Sequence, residues 1–288
     1  MYEDAQEIFE YLPIRRNTAE NDYIDHLWQA FSALSQTDTT ARPFAVMPFH
    51  LLFMLALQYK VLRIYKEQKE KYDLAMIAKN PRDEEKDILA PESPLAIAFL
   101  GESEVVDFLK IAGLSADDAR SIKKSIVRYR NDKIAHAKGY IEQDVETKLS
   151  EYFDWLEKLQ TAYQSMNQEV AARWIEEIEV GDNMEQFLET HFLDSCFGPR
   201  DFGDIVGTLL EAEQLDFDQW EQIVNKGLEL AYDQTVSALH MIVKNETDDG
   251  RRFNAIRVLH ENGEIDEEMK KRMIENEKDE SILELLKN

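Results

Sequence analysis

The stretch Ser125–Gly139, SIVRYRNDKIAHAKG, sets Arg128, Arg130, Lys133 and Lys138 around a single histidine, His136. From Ser121 to Gly139 there are six lysines or arginines against one acid, a local charge of +5 in a chain whose formal net charge is −25. These residue types suit cleavage of a phosphodiester without a metal. A histidine that titrates near neutrality can take a proton from a ribose 2′-hydroxyl or return one to the leaving 5′-oxygen. An arginine offers a planar fork of donors that can hold phosphate oxygens and stabilise the charge that gathers on them. Asn131, beside Arg130, can orient either group by hydrogen bonding. The plainer reading of a charge run is a solvated helix face. The contrast with the acidic surroundings, the order Arg130-Asn131-Asp132 and the closeness of His136 raise this stretch above it.

The spacing constrains how the groups could meet. The segment LSADDARSIKKSIVRYRN opens with a capping signature, with Ser115 at the helix start and Asp118 three residues on. On an uninterrupted α-helix, residues six apart differ by about 120° in azimuth, so Arg130 and His136 would not share a face. Either the helix breaks near Arg130-Asn131-Asp132, with Asn131 or Asp132 capping the next one, or the two groups meet across a subunit interface.

The elements that would carry this stretch are helical. Val145, Leu149, Tyr152, Leu156, Leu159, Tyr163 and Met166 recur at three- and four-residue steps, the spacing of one buried helix face. Ile24, Leu27, Trp28, Phe31 and Leu34 do the same, and a long segment from Pro43 to about Ala78 begins nearly all apolar. Glycine (10) and proline (7) are scarce in 288 residues, and no stretch alternates with period two, so the fold class is all-α. Two breaks stand out, KNPRDEEKDILAPESP (79–94) and CFGPRDFGD (196–204). The helix from Val145 to Met166 closes a first domain, 1–166, and residues 167–288 form a second, all-helical one. The first carries 21 basic and 28 acidic residues and the second 12 and 30, so most of the acidity lies in the second. Its end reads as short helix pairs of the kind found in helical repeats.

Composition excludes several classes. An overall charge this negative opposes non-specific nucleic-acid binding through the general field, so any phosphate contact must be local. One cysteine, Cys196, forms no internal disulfide and suits a reducing compartment. The first residues lack a signal-peptide pattern, and the apolar run AVMPFHLLFMLAL is too short to span a bilayer. These features set the expectation of a cytoplasmic protein without a membrane partner. The tripeptide Asp201-Phe202-Gly203 has none of the other kinase signatures. The loop-like stretch from Asn245 ends on Ile256 where a calcium loop needs a bidentate glutamate. No histidine has the partners of a zinc or di-iron helix, and no GxxxxGK is present, so neither metal nor cofactor is expected. His26 and His50 read as core or half-buried residues, and Cys196 as a structural bystander.

RNDKIAH resembles the Arg-x(4–6)-His signature of HEPN domains, in which Asn, Asp or His often follows the arginine. The order of helices over about residues 18–166, with RPFAVMPFHLLFMLALQYKVL in the place of the apolar second helix, is similar to that family's up-and-down bundle. The resemblance implies a metal-independent endoribonuclease that cuts single-stranded RNA to a cyclic phosphate, and a homodimer that pairs two motifs into one composite site. By position it implies Arg130 on the phosphate, His136 in proton transfer and Asn131 orienting. Arg128, Lys133 and Lys138 are read from charge alone, as guides for RNA. Family members paired with a minimal nucleotidyltransferase also have a tyrosine two residues after the histidine, where this chain has Lys138. The family's setting implies a toxin or phage-defence role, with the C-terminal domain restraining the nuclease or recruiting a regulatory protein. The rival expectation is a catalytically silent dimerisation module that binds a partner protein or nucleotide. A His136 side chain buried against its own bundle, with Arg130 paired to an acid, would favour it.

Overall fold

The computed structural model describes residues 3–37, 40–79, 82–135, 145–179, 181–193, 196–245, 249–276 and 279–287. Every regular element among them is helical. The α-helices are α1 (Thr18–Ser35), α2 (Val46–Glu67), α3 (Lys69–Lys79), α4 (Pro94–Ile97), α5 (Glu102–Phe108), α6 (Ala116–Ile122), α7 (Val145–Glu177), α8 (Met184–Leu193), α9 (Pro199–Leu210), α10 (Phe217–Leu230), α11 (Tyr232–Asn245), α12 (Asp249–Glu261), α13 (Glu267–Asn276) and α14 (Glu280–Lys287). Grouped by contacts, the chain forms two compact units: Met1–Met166 with Glu189–Asp201, and Asn167–Leu188 with Phe202–Asn288.

The first unit is built on α2. Phe49, Leu52, Phe53, Leu57, Val61 and Ile64 are all buried, as an apolar run this dense requires. The helix and the turn before it, Arg42–Glu67, are long and apolar enough to cross a membrane, but 83% of that apolar window is buried inside the protein. The run AVMPFHLLFMLAL is therefore the start of a longer core helix. α1 begins at a reciprocal cap, in which Asn17 Oδ1 accepts the Glu20 amide and the Glu20 carboxylate accepts the Asn17 amide. It lays Ile24, Leu27 and Phe31 against α2, with the Phe31 and Phe49 rings 5.3 Å apart. The face read on α7 is buried at each of its seven positions, from Val145 to Met166.

Contacts along the helices give their directions. Tyr152 meets Phe49 and Phe53, and further on Tyr163 donates to the Lys60 carbonyl, so α2 and α7 run the same way. Asp118 faces Lys158 whereas Ser125 meets Lys148, so α6 and its continuation run opposite to α7. α3 to α5 bridge α2 to α6.

Several local readings change. The Pro43–Ala78 segment is two helices, because α2 ends at Gln68, whose backbone (φ −133°, ψ 48°) leaves the helical region. The 79–94 connection holds a 3-10 helix at Asp83–Leu89, and Ser93 Oγ caps α4 by accepting the Leu95 amide. Residues 199–204 are not a break. Pro199 starts α9, where its missing N–H costs nothing. α7 also continues past Met166 to Glu177 as one helix.

In the second unit, α9 crosses α11 where glycine allows it. A Cβ on Gly203 would stand 2.1 Å from the Cβ of Gln234, so only hydrogen fits at that crossing. α10 starts at a reciprocal cap between Asp216 and Gln219, and Ile256, Ile282 and Leu286 form a small core of their own near the C-terminus. Ile256 thus fills an apolar interior, the opposite of a calcium ligand's place.

Candidate functional site

The basic stretch is carried by α6 and by two π-helical turns that follow it, Lys123–Val127 and Arg130–Ala135. Ser115 starts α6, accepting the Asp118 amide at 3.0 Å, while the Asp118 carboxylate accepts the Ser115 hydroxyl at 2.5 Å rather than reaching back to the backbone. The expected break at Asn131 or Asp132 does not occur. Both residues sit inside the second π-turn and neither caps a new helix.

The first π-turn finds partners on α7. The Arg128 amide reaches five residues back to the Lys123 carbonyl, and a widened turn of this kind leaves carbonyls without an i→i+4 partner. α7 supplies one. The Lys148 ammonium donates to the Ser125 carbonyl at 2.7 Å, and the Trp155 indole N–H donates to the Ser125 hydroxyl at 3.2 Å. Lys148 is itself buried, stacked 4.2 Å over the Tyr129 ring and paired with Glu151. Burial lowers its pKa and Glu151 works against that shift.

The basic side chains of this stretch face two ways. Arg130 and Asn131 line an open cleft of about 650 Å³ whose floor includes Leu51, Met54 and Val127. Lys124, Arg128 and Lys133 line a separate groove of about 570 Å³ with Tyr129 and Lys148. The six residues singled out from sequence therefore divide. Arg130 and Asn131 come together, with the arginine Nη1 donating to Asn131 Oδ1 at 2.8 Å. Arg128, largely exposed, pairs with Asp132 at 3.3 Å on the groove side, where Lys133 also lies. His136 and Lys138 fall outside the described residues.

Arg130 is not free in its cleft. Its Nη2 lies 2.9 Å from Glu102 Oε1, at the first position of α5. Glu104 fixes the start of that helix by accepting the Gly101 amide at 2.9 Å. Glu102 Oε1 also lies 3.1 Å from His50 Nε2, and His50 Nδ1 lies 2.9 Å from the Tyr152 hydroxyl. Burial opposes the charge on Glu102, yet His50 and Arg130 outweigh it and hold the carboxyl below the usual range, so it is ionised at neutral pH. Arg130 Nε and Glu102 Oε2 are buried without a hydrogen-bond partner, an incomplete polar cluster of the kind that gathers at working sites.

His50, Glu102 and Tyr152 are not among the site residues expected from sequence, where His50 and Tyr152 read only as core positions. His50 carried one signal, a lone polar residue in an apolar run, and is indeed fully buried. His26 is exposed rather than core or half-buried. Cys196 is buried and its thiol is pushed up to about 11, chiefly by burial, which leaves it unreactive near neutrality. Asp201 is buried at the start of α9, where both carboxylate oxygens take the Lys60 ammonium at 2.7 Å and Gln160 donates to Oδ1. That aspartate anchors the fold. Among the described residues, no group of three or more His, Cys, Asp or Glu is placed to hold a metal ion.

The chain matches no protein-family model, no curated protein and no solved structure.

Proposed function

We propose that the first unit is a HEPN-type, metal-independent endoribonuclease that acts on single-stranded RNA. In this reading it works as a cytoplasmic homodimer with a composite site, in a toxin or phage-defence setting. Arg130 contacts the scissile phosphate, Asn131 orients it, and His136 transfers the proton. The observation that carries the reading is Arg130 and Asn131 side by side at an open cleft, on a strongly basic helical stretch of an acidic chain. The direction of the α6 stretch, opposite to that of α2 and α7, agrees with an up-and-down bundle. The second unit, with most of the acidity, restrains the nuclease or recruits a regulatory partner.

A second reading is favoured by the Arg130–Glu102 ion pair, which neutralises the arginine and suits a silent interaction module for a protein or nucleotide partner. Labelled unstructured RNA incubated with the protein in EDTA separates the two. Cleavage to cyclic-phosphate ends by wild type, lost in an Arg130→Ala/His136→Ala double variant, is the expected result. No cleavage by the purified full chain across a set of unstructured RNAs favours the silent module.

A further inference from the structure

His50 sits near the N-terminal end of α2, in its apolar stretch, with no exposed surface, an expensive place for an imidazole unless both nitrogens are satisfied. Both are. Glu102 is ionised and can only accept, so His50 Nε2 carries a proton and donates it. When the ring is neutral, Nδ1 must then accept, and the Tyr152 hydroxyl supplies that bond. Burial raises the Tyr152 pKa far above its ordinary value, so the phenol keeps the proton it donates. Arg130 meets the same Oε1 that His50 meets. One oxygen therefore ties a buried ring to a guanidinium at the cleft.

We infer that Glu102 and His50 are positioning residues for Arg130, with Tyr152 fixing the tautomer of His50. The inference rests on the reading of Arg130 as the phosphate-contacting group. The physical case is geometric. An exposed arginine samples many rotamers, and ordering it on a ligand costs free energy that preorganisation removes beforehand. Here Nη2 is held by Glu102 and Nη1 by Asn131, so the plane of the guanidinium is fixed from two sides. Glu102 cannot swing away, because its second partner is locked in the core. A solitary surface ion pair would leave both side chains mobile and be worth little. The buried ring distinguishes this pair.

The test uses the full chain and two readouts. Rotation of the Arg130 guanidinium is followed by nitrogen-15 NMR, with the signal assigned by Arg130→Lys. Wild type is expected to show separate, slowly exchanging Nη signals, and Glu102→Gln to average them. Two changes at His50 control for packing. The amide of His50→Gln falls near the lost Nε2 and can still donate to Glu102, whereas that of His50→Asn falls near Nδ1 and cannot. Averaging in His50→Asn but not in His50→Gln is expected. Equal behaviour of the two His50 variants, or an Arg130 signal unmoved by Glu102→Gln, would overturn the inference. Where wild type cleaves RNA, Glu102→Gln and His50→Asn should lower kcat about tenfold to a hundredfold with little change in KM, and unchanged kcat would overturn it as well. A wild type that holds Arg130 rigid yet never cleaves would leave the positioning intact and sink the nuclease reading instead.

Discussion

Lys60 and Asp201 lie 141 positions apart in sequence, and the lysine ammonium sits 2.7 Å from both oxygens of the aspartate. Arg63 stands 3.1 Å from the same carboxylate and stacks 4.3 Å over Phe197. Three buried charges of this kind are stable only as a set, because each was stripped of water on folding. They tie the segment Glu189–Asp201 to the first unit. Close backbone approach completes the attachment: the Ile14 amide donates to the Phe197 carbonyl, and a Cβ on Gly198 would stand 2.8 Å from the Glu10 carbonyl oxygen.

Replacing Asp201 by Asn should therefore weaken the first unit by about 3–5 kcal/mol, since Lys60 and Arg63 would remain buried without their counter-charge. Burial opposes ionisation of Asp201, but Lys60 and Arg63 hold its carboxyl well below the usual range. A depressed folded value means the stability is present above the unfolded pKa of 3.8 and lost as pH falls below it. Hydrogen exchange of the α2 amides, compared at neutral pH and near pH 3, should show a smaller acid-induced loss of protection in Asp201→Asn than in wild type. An equal loss in both would place the acid sensitivity elsewhere.

At the alkaline end the phenols govern. Burial raises the pKa of Tyr11, Tyr59, Tyr72, Tyr152 and Tyr163 above the ordinary 10.0. With folded values above the unfolded one, their contribution is complete below pH 10 and drains as pH rises past it. Lys148 runs the other way: its depressed value adds stability as pH climbs toward 10.5. Five phenols outweigh one amine, so stability should fall above pH 10. Tyrosinate absorbance from these five should appear together with the loss of helical circular dichroism. Absorbance from all eleven tyrosines in a chain still fully helical would contradict this.

The helices were legible because their signal is local and periodic. The α7 stripe from Val145 to Met166 could be read position by position, as a single face repeats every three or four residues. The chemistry was legible only as composition. Arg130 stands out by charge contrast and Asn131 by its place beside it, yet their separation from Arg128 and Lys133 belongs to the folded stretch, whose first π-turn meets Lys148 and Trp155 of another helix at Ser125. The Glu102 contact is longer-range still. It joins three helices through residues 50, 102 and 130, and a glutamate at a helix start has an ordinary capping explanation that hides it. Asp201 is hidden for the same reason, being an acid in an acidic chain whose two cations lie on α2.

The α9–α11 crossing gives a matched pair of substitutions. Both Gly203 and Gly207 lie inside a helix, where Ala is preferred by about 0.5–1 kcal/mol. At Gly207 a Cβ would meet the Ala238 Cβ at 3.6 Å, ordinary contact, so Gly207→Ala should be neutral or stabilising. At Gly203 the Cβ and Cγ of Gln234 stand 2.1 and 2.7 Å away, and the Cβ moves only with its helix. Gly203→Ala should cost about 1–3 kcal/mol by forcing the helices apart. Urea unfolding of the two variants measures the difference, and equal midpoints would rule the crossing out as the reason for glycine.

The two basic surfaces should separate binding from chemistry if RNA is the substrate. Lys124, Arg128 and Lys133 line the groove with the Tyr129 ring, while Arg130 belongs to the cleft. The Arg128–Asp132 pair is exposed and contributes little to the fold, so Arg128 can be replaced without unfolding the helix. An Arg128→Ala/Lys133→Ala variant should bind labelled, uncleavable RNA more weakly, whatever its sequence. The slope of log affinity against log salt should become shallower by about one for each phosphate that the groove no longer neutralises. Turnover at saturating RNA should be unaffected, because the fixed arginine is intact. Arg130→Ala should do the reverse, abolishing turnover while leaving most of the salt slope. Anisotropy titrations across a salt series read both quantities, and an unchanged slope in the groove variant would mean that RNA takes another path over the protein.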